Sequence, residues 1–359
     1  MDKNIVELIE KDKDETIELV DEMDGKITAK DFFSIMKDDI EAFKVTARQK
    51  KTGYHNPKFP SISQGLEGWE PGLYLFAAES NAGKSAFMMN IIEDLCTHEP
   101  NKLFGLYFSL DDDKNKIIPR LVAMREGVPI GVVSKPGRYE EMILNNDENS
   151  IVYQEWLDKA DNGLNKLAND SNKMMVLDST DIKNIDEMYE YIKQVVNYVK
   201  AIDPDNNVVI AIDSIKDVKL SDRYPKMTSN ERADEVARTI KEWSIELGLI
   251  ILASMHLRKL NGNRRPIRDD LKDSNTLEYE ASVIWLLFND VSKNKQAAKI
   301  YHRNSDESEK EPILEMDWSK NKVSSYKGRT FNYFSPEFSR AVECGEEASK
   351  RFNGLLYEA

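Results

Sequence analysis

Three consecutive residues, Gly83, Lys84 and Ser85, have the types and the spacing that bind phosphate. They close the segment AESNAGKS, which fits the pattern G-x-x-x-x-G-K-[ST] except that Ala78 stands at the first glycine. In such a loop, backbone N–H groups at a helix start point at phosphate oxygens, the lysine neutralises the β- and γ-phosphates, and the hydroxyl binds Mg²⁺. A chance Gly-Lys-Ser in a loop is the alternative. The predicted ATP-binding residues are Ser80, Asn81, Ala82, Gly83, Lys84, Ser85 and Ala86.

The elements on either side of this segment favour the phosphate-binding interpretation. An apolar run from Leu73 to Ala77 precedes it, and the apolar residues that follow recur at helical spacing. The sequence therefore predicts a buried strand, a phosphate loop and a helix. Ala78 is tolerable if its position does not need a positive φ.

Two acidic positions at the ends of later apolar runs are candidate catalytic groups. Asp213 closes the run VVIAI and is predicted to hold Mg²⁺ together with Ser85, although Asp is also common at strand ends. Asp111 closes LFGLYFSL and is predicted to polarise the attacking water. Its neighbours Asp112 and Asp113 are predicted to be a helix N-cap and a first-turn acid, but three adjacent carboxylates cannot be told apart without geometry.

A histidine and a basic loop follow the apolar run LIILA. His256 is predicted to sense the γ-phosphate, with an ordinary surface histidine as the alternative. The Gly, Asn and Pro-containing loop beyond it is the most basic stretch of the chain. We expect it to bind a nucleic-acid backbone, and a solvated charged loop is the alternative. Its basic residues are Arg258, Lys259, Arg264, Arg265 and Arg268.

The composition limits the classes of function. The chain has 359 residues and a net charge of −14, which argues against a protein that coats nucleic acid non-specifically. Two cysteines, Cys96 and Cys344, suggest neither a disulfide framework nor a metal site. The sequence contains no long apolar run, and its N-terminus is acidic and amphipathic, so we expect no membrane partner. The predicted location is the cytoplasm, or the host cytoplasm if the protein is virus-encoded.

The order of elements predicts the fold. Apolar runs alternate with helical patterns up to about residue 256, which is typical of an α/β fold with a mainly parallel sheet covered by helices on both faces. The later residues predict antiparallel strands at 296–302 and 312–318. We expect a helical N-terminal arm and a linker over residues 1–59, an ATPase core over 60–342 and a charged tail over 343–359.

Residues 60 to 342 resemble the C-terminal ATPase domain of the DnaB-family replicative helicases, which have a RecA-like fold. The resemblance rests on GLEGWEPGLYLFAAESNAGKSAFMMNI, LYFSLDDD, VVIAIDS, RTIKEWSIELGLIILASMHLR and RRPIRDDLKDSNTLEYEASVIWLLFND. It implies that Lys84 and Ser85 bind ATP and Mg²⁺ and that Asp111 is the catalytic carboxylate. It also implies that Asp213 is the Mg²⁺ carboxylate and His256 the γ-phosphate sensor.

The resemblance also implies roles late in the chain. Lys272, Asp273 and Asn275 fall in the family's DNA-contacting loop. The segment Lys320-Asn321-Lys322 matches the lysine and arginine finger that the family supplies to a neighbour's ATP. Lys322 in place of arginine cannot offer a planar fork.

Other departures concern the acidic catalytic position, the sensor and the N-terminus. Asp111 is one methylene shorter than the usual Glu, and His256 stands in place of Gln. Only about 60 residues precede the core, so we expect the family's helical N-terminal domain to be absent. Residues 31–50 are then expected to pack either on the next subunit or on their own core.

The implied function is an ATP-driven translocase or helicase on single-stranded DNA, which hydrolyses ATP between the copies of a hexameric ring and meets replication proteins such as primase or a loader. A RecA-type recombinase is disfavoured by the poorer match after residue 256 and by the acidic charge. An ATP-dependent switch or loader that assembles on protein partners without unwinding is favoured by the short N-terminus and the altered finger.

Overall fold

The computed structural model describes residues 37–45, 48, 53–169, 173–224, 226–271, 275–303 and 308–357. The chain divides into two units, Met1–Thr52 and Gly53–Ala359. In the first unit, residues 37–45 form a helix whose side chains are exposed. Of the arm and linker predicted over residues 1–59, residues 1–36, 46, 47 and 49–52 lie outside the described residues.

The second unit is built on one sheet. Its described strands are β1 (Gly72–Ala78), β2 (Leu103–Ser109), β3 (Met174–Asp178), β4 (Asn207–Asp213), β5 (Ile250–His256), β6 (Val283–Asn289), β7 (Tyr301–Arg303), β8 (Lys310–Asn321), β9 (Arg329–Ser335) and β10 (Arg340–Glu343). They follow the order β10-β9-β8-β6-β1-β5-β4-β2-β3, with β7 beside β8. The six neighbouring strands β6, β1, β5, β4, β2 and β3 pair in parallel. The pairs β6–β8, β8–β7, β8–β9 and β9–β10 are antiparallel. The predicted fold class is confirmed.

Helices cover both faces of this sheet. Those described in the second unit are α1 (Pro60–Leu66), α2 (Lys84–Thr97), α3 (Lys114–Glu126), α4 (Ile130–Ser134), α5 (Pro136–Leu144), α6 (Ser150–Asn169), α7 (Ile185–Ile202), α8 (Ser229–Glu246), α9 (Asn275–Glu280), α10 (Asp290–Asn294) and α11 (Glu346–Tyr357).

Each face of the sheet has its own apolar core, and β1 contributes to both. Tyr74 and Phe76 pack with residues of α2 and α3 in one core, whereas Leu73 and Leu75 pack with α7 and α8 in the other. Because successive side chains of a strand point to opposite faces, a strand buried on both sides is apolar throughout. This burial explains the unbroken apolar run that precedes the phosphate loop.

The structure differs from the sequence-based expectation at both ends of the core. The linker predicted up to residue 59 packs on the core in its described part, because Asn56 is buried and its Nδ2 donates to Ile91 O at 3.1 Å. Pro60 begins α1, where proline needs no N–H partner. At the other end, the segment predicted as a charged tail contains α11, whose Phe352 is buried against β9.

Two further predictions of secondary structure need correction. The strand expected over 296–302 is confined to Tyr301–Arg303, after a single helical turn at Lys295–Ala297. Residues 135–172 are mostly polar, with a helical patch expected around Trp156 and Leu164. This patch lies in α6, and the structure adds α5, so the region contains more helix than expected. Their polar composition reflects exposure, since α5 has no buried residue among those described.

Candidate nucleotide-binding site and basic loop

The phosphate loop leaves the C-terminal end of β1. Ala78 is the last strand residue and does not have a positive φ, so alanine is tolerated at this position. Gly83 has φ 101°, and a Cβ placed there would lie 2.7 Å from the ring of Phe334. Any other residue at position 83 would be strained by the positive φ and would collide with Phe334, so this position requires glycine. Helix α2 begins at Lys84 with no side-chain cap, which leaves its first N–H groups to serve an anion.

Lys84 and Ser85 face Asp213 across the sheet edge. The Lys84 Nζ lies 3.5 Å from Asp213 Oδ1 and donates to Ser254 Oγ at 3.1 Å. Ser254 Oγ donates in turn to Asp213 Oδ1, and the Ser85 side chain also lowers the pKa of this carboxylate. The strand register places β1, β5 and β4 side by side, so these groups meet at the carboxyl ends of three parallel strands.

Tyr107 is a member of this cluster that the sequence reasoning missed. Its hydroxyl donates to Asp213 Oδ2 at 2.9 Å, and the residue is fully buried. A tyrosine inside an otherwise apolar strand is the signal that could have revealed it, because a buried phenol needs a polar partner. The alternation of β2 also places it on the same face as Ser109, which pairs in register with Asp213.

The electrostatics of the cluster favour an ionised carboxylate. Burial alone would raise the pKa of Asp213. The Lys84 charge and the hydrogen bonds from Ser254, Ser85 and Tyr107 outweigh that effect and hold the pKa of Asp213 below its ordinary value. A buried anion beside a hydroxyl and a lysine is the donor set that Mg²⁺ and a phosphate group require. The residues present therefore fit ATP and Mg²⁺.

The three carboxylates after β2 have different surroundings. Asp111 is exposed at the sheet edge, and its N–H lies 3.4 Å from Asp213 O. Asp112 accepts from Lys116 Nζ and Arg120 Nη1, each at 3.0 Å. Of the three, Asp111 is therefore the residue whose backbone contacts Asp213.

The predicted capping roles of Asp112 and Asp113 need correction. Asp113 occupies the N-cap position of α3, but its side chain makes no capping hydrogen bond. Asp178 at the end of β3 performs this role instead, because its Oδ2 accepts from Lys114 N at 3.0 Å. The first turn of α3 contains no acidic residue.

His256 ends β5 beside the phosphate loop. Its Nδ1 lies 3.4 Å from Ser80 Oγ. Burial, followed by the charges of Lys84 and Lys216, lowers the pKa of His256 below its ordinary value. The neutral imidazole is therefore favoured at pH 7, with one ring nitrogen able to donate and the other to accept.

The arginines of the predicted nucleic-acid loop bind groups of their own chain. Arg264 forms a bidentate pair with Asp270 at 2.5 and 2.6 Å, and the Arg258 guanidinium donates to a backbone carbonyl. Arg265 binds Glu315 through two hydrogen bonds of 2.7 Å. Arg268 lies 3.5 Å from Glu278 and also donates to a carbonyl of β8.

The remaining predicted nucleic-acid contacts are two lysines and two polar residues. Lys259 is exposed and lines a pocket of about 360 Å³ beside the phosphate loop, together with Ser80. Lys272 and Asp273 lie outside the described residues. Asn275 is the first residue of α9, and its side chain is not described.

The two predicted finger lysines lie far from the phosphate loop of the same chain. Lys320 Nζ donates to Tyr279 O at 3.1 Å, and Lys322 Nζ donates to the same oxygen at 2.9 Å. Burial, with the neighbouring Lys322 charge, lowers the pKa of Lys320 to about 8. Lys320 pairs with Ile284 near the start of β6 and is thereby level with Leu75 in the middle of β1, three residues before the phosphate loop leaves this strand at Ala78.

The fold and the site define a P-loop ATPase of the RecA-like class. The family model of the DnaB-like helicase C terminal domain matches residues 56–325. The chain belongs to this family of ATPases.

Individual relatives agree with this assignment at low identity. The replicative DNA helicase DnaB of Haemophilus influenzae is 23% identical over 301 residues, which cover 82% of this chain and 56% of that protein. The replicative DNA helicase DnaB of Buchnera aphidicola subsp. Acyrthosiphon pisum is 25% identical over 262 residues, which cover 71% and 48%. The chain spans about half the length of these relatives.

Two solved structures share the fold. One is an ATPase domain with a TM-score of 0.66 at 19% identity, covering 90% of this chain and 100% of that one. A DnaB-like replicative helicase, solved in a study of its interactions with primase, has a TM-score of 0.67 at 18% identity, covering 90% and 68%. Among the described residues, no helix has the length and apolar character needed to cross a bilayer.

Proposed function

We propose that this protein is an ATP-driven translocase on single-stranded DNA, of the DnaB type, that binds and hydrolyses ATP between neighbouring copies of itself. One copy would supply the phosphate loop and the buried carboxylate. The next copy would supply Lys320 and Lys322. A hexameric ring is the assembly that we expect, with primase or a loader as further partners.

The position of the finger lysines carries this proposal. Lys322 N donates to Ser282 O, and Ser282 N donates to Leu73 O, so Lys322 is level with the beginning of β1. The phosphate loop leaves β1 at Ala78, and a strand rises about 3.3 Å per residue, which separates the two by roughly 16 Å along the sheet. Lys320 is level with Leu75 through its pairing with Ile284, roughly 10 Å from Ala78 along the sheet. Both distances exceed the reach of a lysine side chain, which supports a role for these lysines at the ATP of another copy.

Each group of the phosphate-loop side has a chemical task in the proposed reaction. Lys84 would stabilise negative charge that develops on the transferred phosphoryl group. Ser85 and Asp213 would hold Mg²⁺, which supplies charge neutralisation when bound. Asp111 would orient the attacking water, since it is exposed next to the cluster. His256 would report the γ-phosphate to the loop that follows it in the chain.

Contact with DNA is proposed for the loop after β5. This loop leaves the same sheet edge as the phosphate loop, because Leu257 N donates to Ala78 O at 2.9 Å. Lys259 is an exposed basic residue of this loop and lines the pocket beside the phosphate loop, and Lys272, Asp273 and Asn275 match the family's DNA-contacting positions. Contacts of this kind bind phosphate groups without reading sequence.

A subunit-mixing experiment tests catalysis between copies. Neither Lys84→Ala nor Lys322→Ala protein is expected to hydrolyse ATP well. Mixing them creates interfaces in which an intact Lys84 meets an intact Lys322, and in random closed rings these are about a quarter of all interfaces. Recovery of activity on mixing supports the proposal. A mixture no more active than its components contradicts it.

A non-unwinding ATP-dependent switch is the second candidate, and one observation favours it. Arg264, Arg265 and Arg268 are engaged within their own chain, which leaves few cations of this loop to hold a strand. A forked-duplex unwinding assay with ATP separates the candidates, with Lys84→Ala as the control. Unwinding supports the motor, whereas hydrolysis without unwinding supports the switch and strand exchange supports a recombinase.

A further inference from the structure

An acidic side chain of the phosphate loop holds the basic loop directly. Glu79 follows Ala78, and its Oε1 accepts a hydrogen bond from Leu260 N at 2.9 Å. Leu260 lies in the basic loop, four residues beyond His256. Glu79 occupies one of the variable positions of the phosphate-binding pattern, so the motif itself assigns it no role.

A lysine from a third element completes this contact. Lys293 of α10 binds both carboxylate oxygens of Glu79, at 3.0 and 2.8 Å, and its Nζ also lies 3.3 Å from Leu260 O. Leu260 therefore donates its N–H to Glu79 and accepts a hydrogen bond from Lys293 at its carbonyl oxygen. We name Glu79, Leu260 and Lys293 the loop clamp.

The loop clamp differs from an ordinary surface ion pair. The side chains of Lys293 and Glu79 are only 22% and 20% exposed, and Leu260 is buried. Partial burial reduces the screening that makes most surface pairs weak. In addition, the clamp fixes backbone atoms of Leu260, so a displacement of the Glu79 carboxylate displaces the basic loop itself.

The basic loop is otherwise closed on itself at its two ends. Leu257 forms a bridge with Leu271, and Arg258 N donates to Asp270 O at 2.9 Å. Because the two ends of the loop are bonded to each other, a displacement of Leu260 is expected to move the loop as a unit. Ser80, adjacent to Glu79, belongs to the predicted phosphate-binding residues.

We infer that Glu79 is a positioning residue that couples occupancy of the phosphate loop to DNA binding by the basic loop, through Leu260 and Lys293. This inference rests on the proposed function. Binding of the triphosphate repositions the phosphate loop, the loop clamp transmits this shift to residues 257–271, and affinity for a single strand changes. By reciprocity, strand binding changes nucleotide affinity by the same factor.

The test measures this coupling factor and not the activity alone. The Kd for a fluorescent oligo(dT) is measured by anisotropy with and without a non-hydrolysable ATP analogue, and the ratio of the two values is the coupling. For wild-type protein we expect a ratio of about five or more, the lower end of typical allosteric coupling. Glu79→Ala is expected to bring the ratio close to one, and Glu79→Gln, which keeps an acceptor for Leu260 N, to give an intermediate ratio.

Lys293→Met tests the same clamp from α10 and gives an independent answer if Glu79→Ala fails to fold. The double variant is expected to lose no more coupling than either single variant, because both break one link. Glu346→Gln, which removes a carboxylate from the exposed Glu346–Lys350 pair of α11, is the matched control and is expected to keep the wild-type ratio.

The outcomes separate this inference from the proposed function. If the wild-type protein couples and the clamp variants couple equally well, the inference is wrong and the proposed function stands. If the wild-type ratio is itself one, nucleotide and strand do not communicate, and the proposed translocase fails together with the clamp. Loss of coupling in both Glu79→Ala and Lys293→Met, with the control intact, supports the inference.

Discussion

The nucleotide site and the basic loop leave the same edge of the sheet, yet they use their charged residues in opposite ways. At the nucleotide site, Lys84, Ser85 and Tyr107 converge on a single carboxylate, Asp213, and the start of α2 has no side-chain cap. In the basic loop, arginines are paired with carboxylates of their own chain. An arginine or lysine therefore indicates a ligand-binding site only where its side chain is not already paired with a carboxylate that stabilises the fold.

The largest expected effect is on the nucleotide side. Lys84→Ala removes the cation that we propose stabilises the transferred phosphoryl group, and it leaves Asp213 buried without this charge partner. Loss of one preorganised charge of this kind lowers kcat by about 100-fold or more. Steady-state ATP hydrolysis measures the effect, and a variant that keeps a tenth of wild-type activity would contradict the assignment of this lysine.

The second prediction concerns the fold and not catalysis. Arg265→Met leaves the 1% exposed Glu315 with Arg329 as its only guanidinium partner among the described residues. Breaking a buried ion pair from one side destabilises a protein by about 3 kcal/mol or more. Urea unfolding measures the loss, and if Arg265 is mainly a DNA contact the free energy of unfolding will not change.

The pH dependence of this variant and a matched arginine sharpen the test. Burial raises the pKa of Glu315, and the Arg265 charge opposes this rise. Protonated Glu315 needs no cation. The loss of stability caused by Arg265→Met is therefore largest above the folded pKa that Glu315 has in the variant, and it shrinks as pH falls below that pKa.

Arg264→Met is the matched comparison. The Arg264 side chain is 45% exposed, so this substitution is expected to lower the free energy of unfolding by less than about 1 kcal/mol.

The two regions also show what the sequence can and cannot predict. The phosphate loop was predictable because its strand, loop and helix are consecutive in the chain, and Asp213 followed from its place at a strand end. The pairing of Arg265 with Glu315 joins residues 50 positions apart through the register of β8, which periodicity does not reveal. The contact of Gly83 with Phe334 has the same origin, since β9 must first be placed.

A smaller effect is expected from Tyr107→Phe, which tests the residue that the sequence reasoning missed. The change removes only the hydrogen bond to Asp213 Oδ2, and a bond to a charged group is worth about 1.5 to 3 kcal/mol. We expect about a tenfold fall in kcat if the carboxylate must be held in position. An unchanged kcat would restrict this hydroxyl to a structural role.

Acid unfolding gives an independent measure of the same bond. The folded pKa of Asp213 lies below its ordinary value, so its contribution to stability is present above the ordinary value and is lost as pH falls through the folded pKa. Without the Tyr107 hydroxyl the folded pKa rises, so the variant has less of this stabilisation at neutral pH, and the loss is complete at a higher pH. The acid midpoint of Tyr107→Phe is therefore expected above that of wild type.

The smallest effect is expected at Lys259. It shows whether any basic residue of the loop binds a ligand, as the residues of the nucleotide site are proposed to do. Lys259 is exposed and borders the phosphate-loop pocket, so its charge is accessible to a strand. If it contacts one phosphate, Lys259→Ala weakens oligo(dT) binding a few-fold and lowers the slope of log K against log salt by about 1. Lys200→Ala, an exposed lysine of α7, should leave the slope unchanged. If Lys259→Ala changes the salt slope of oligo(dT) binding and folded Arg265→Met protein does not, then Lys259 binds the strand and Arg265 only stabilises the fold. If both variants change the slope equally, Arg265 also contacts the strand.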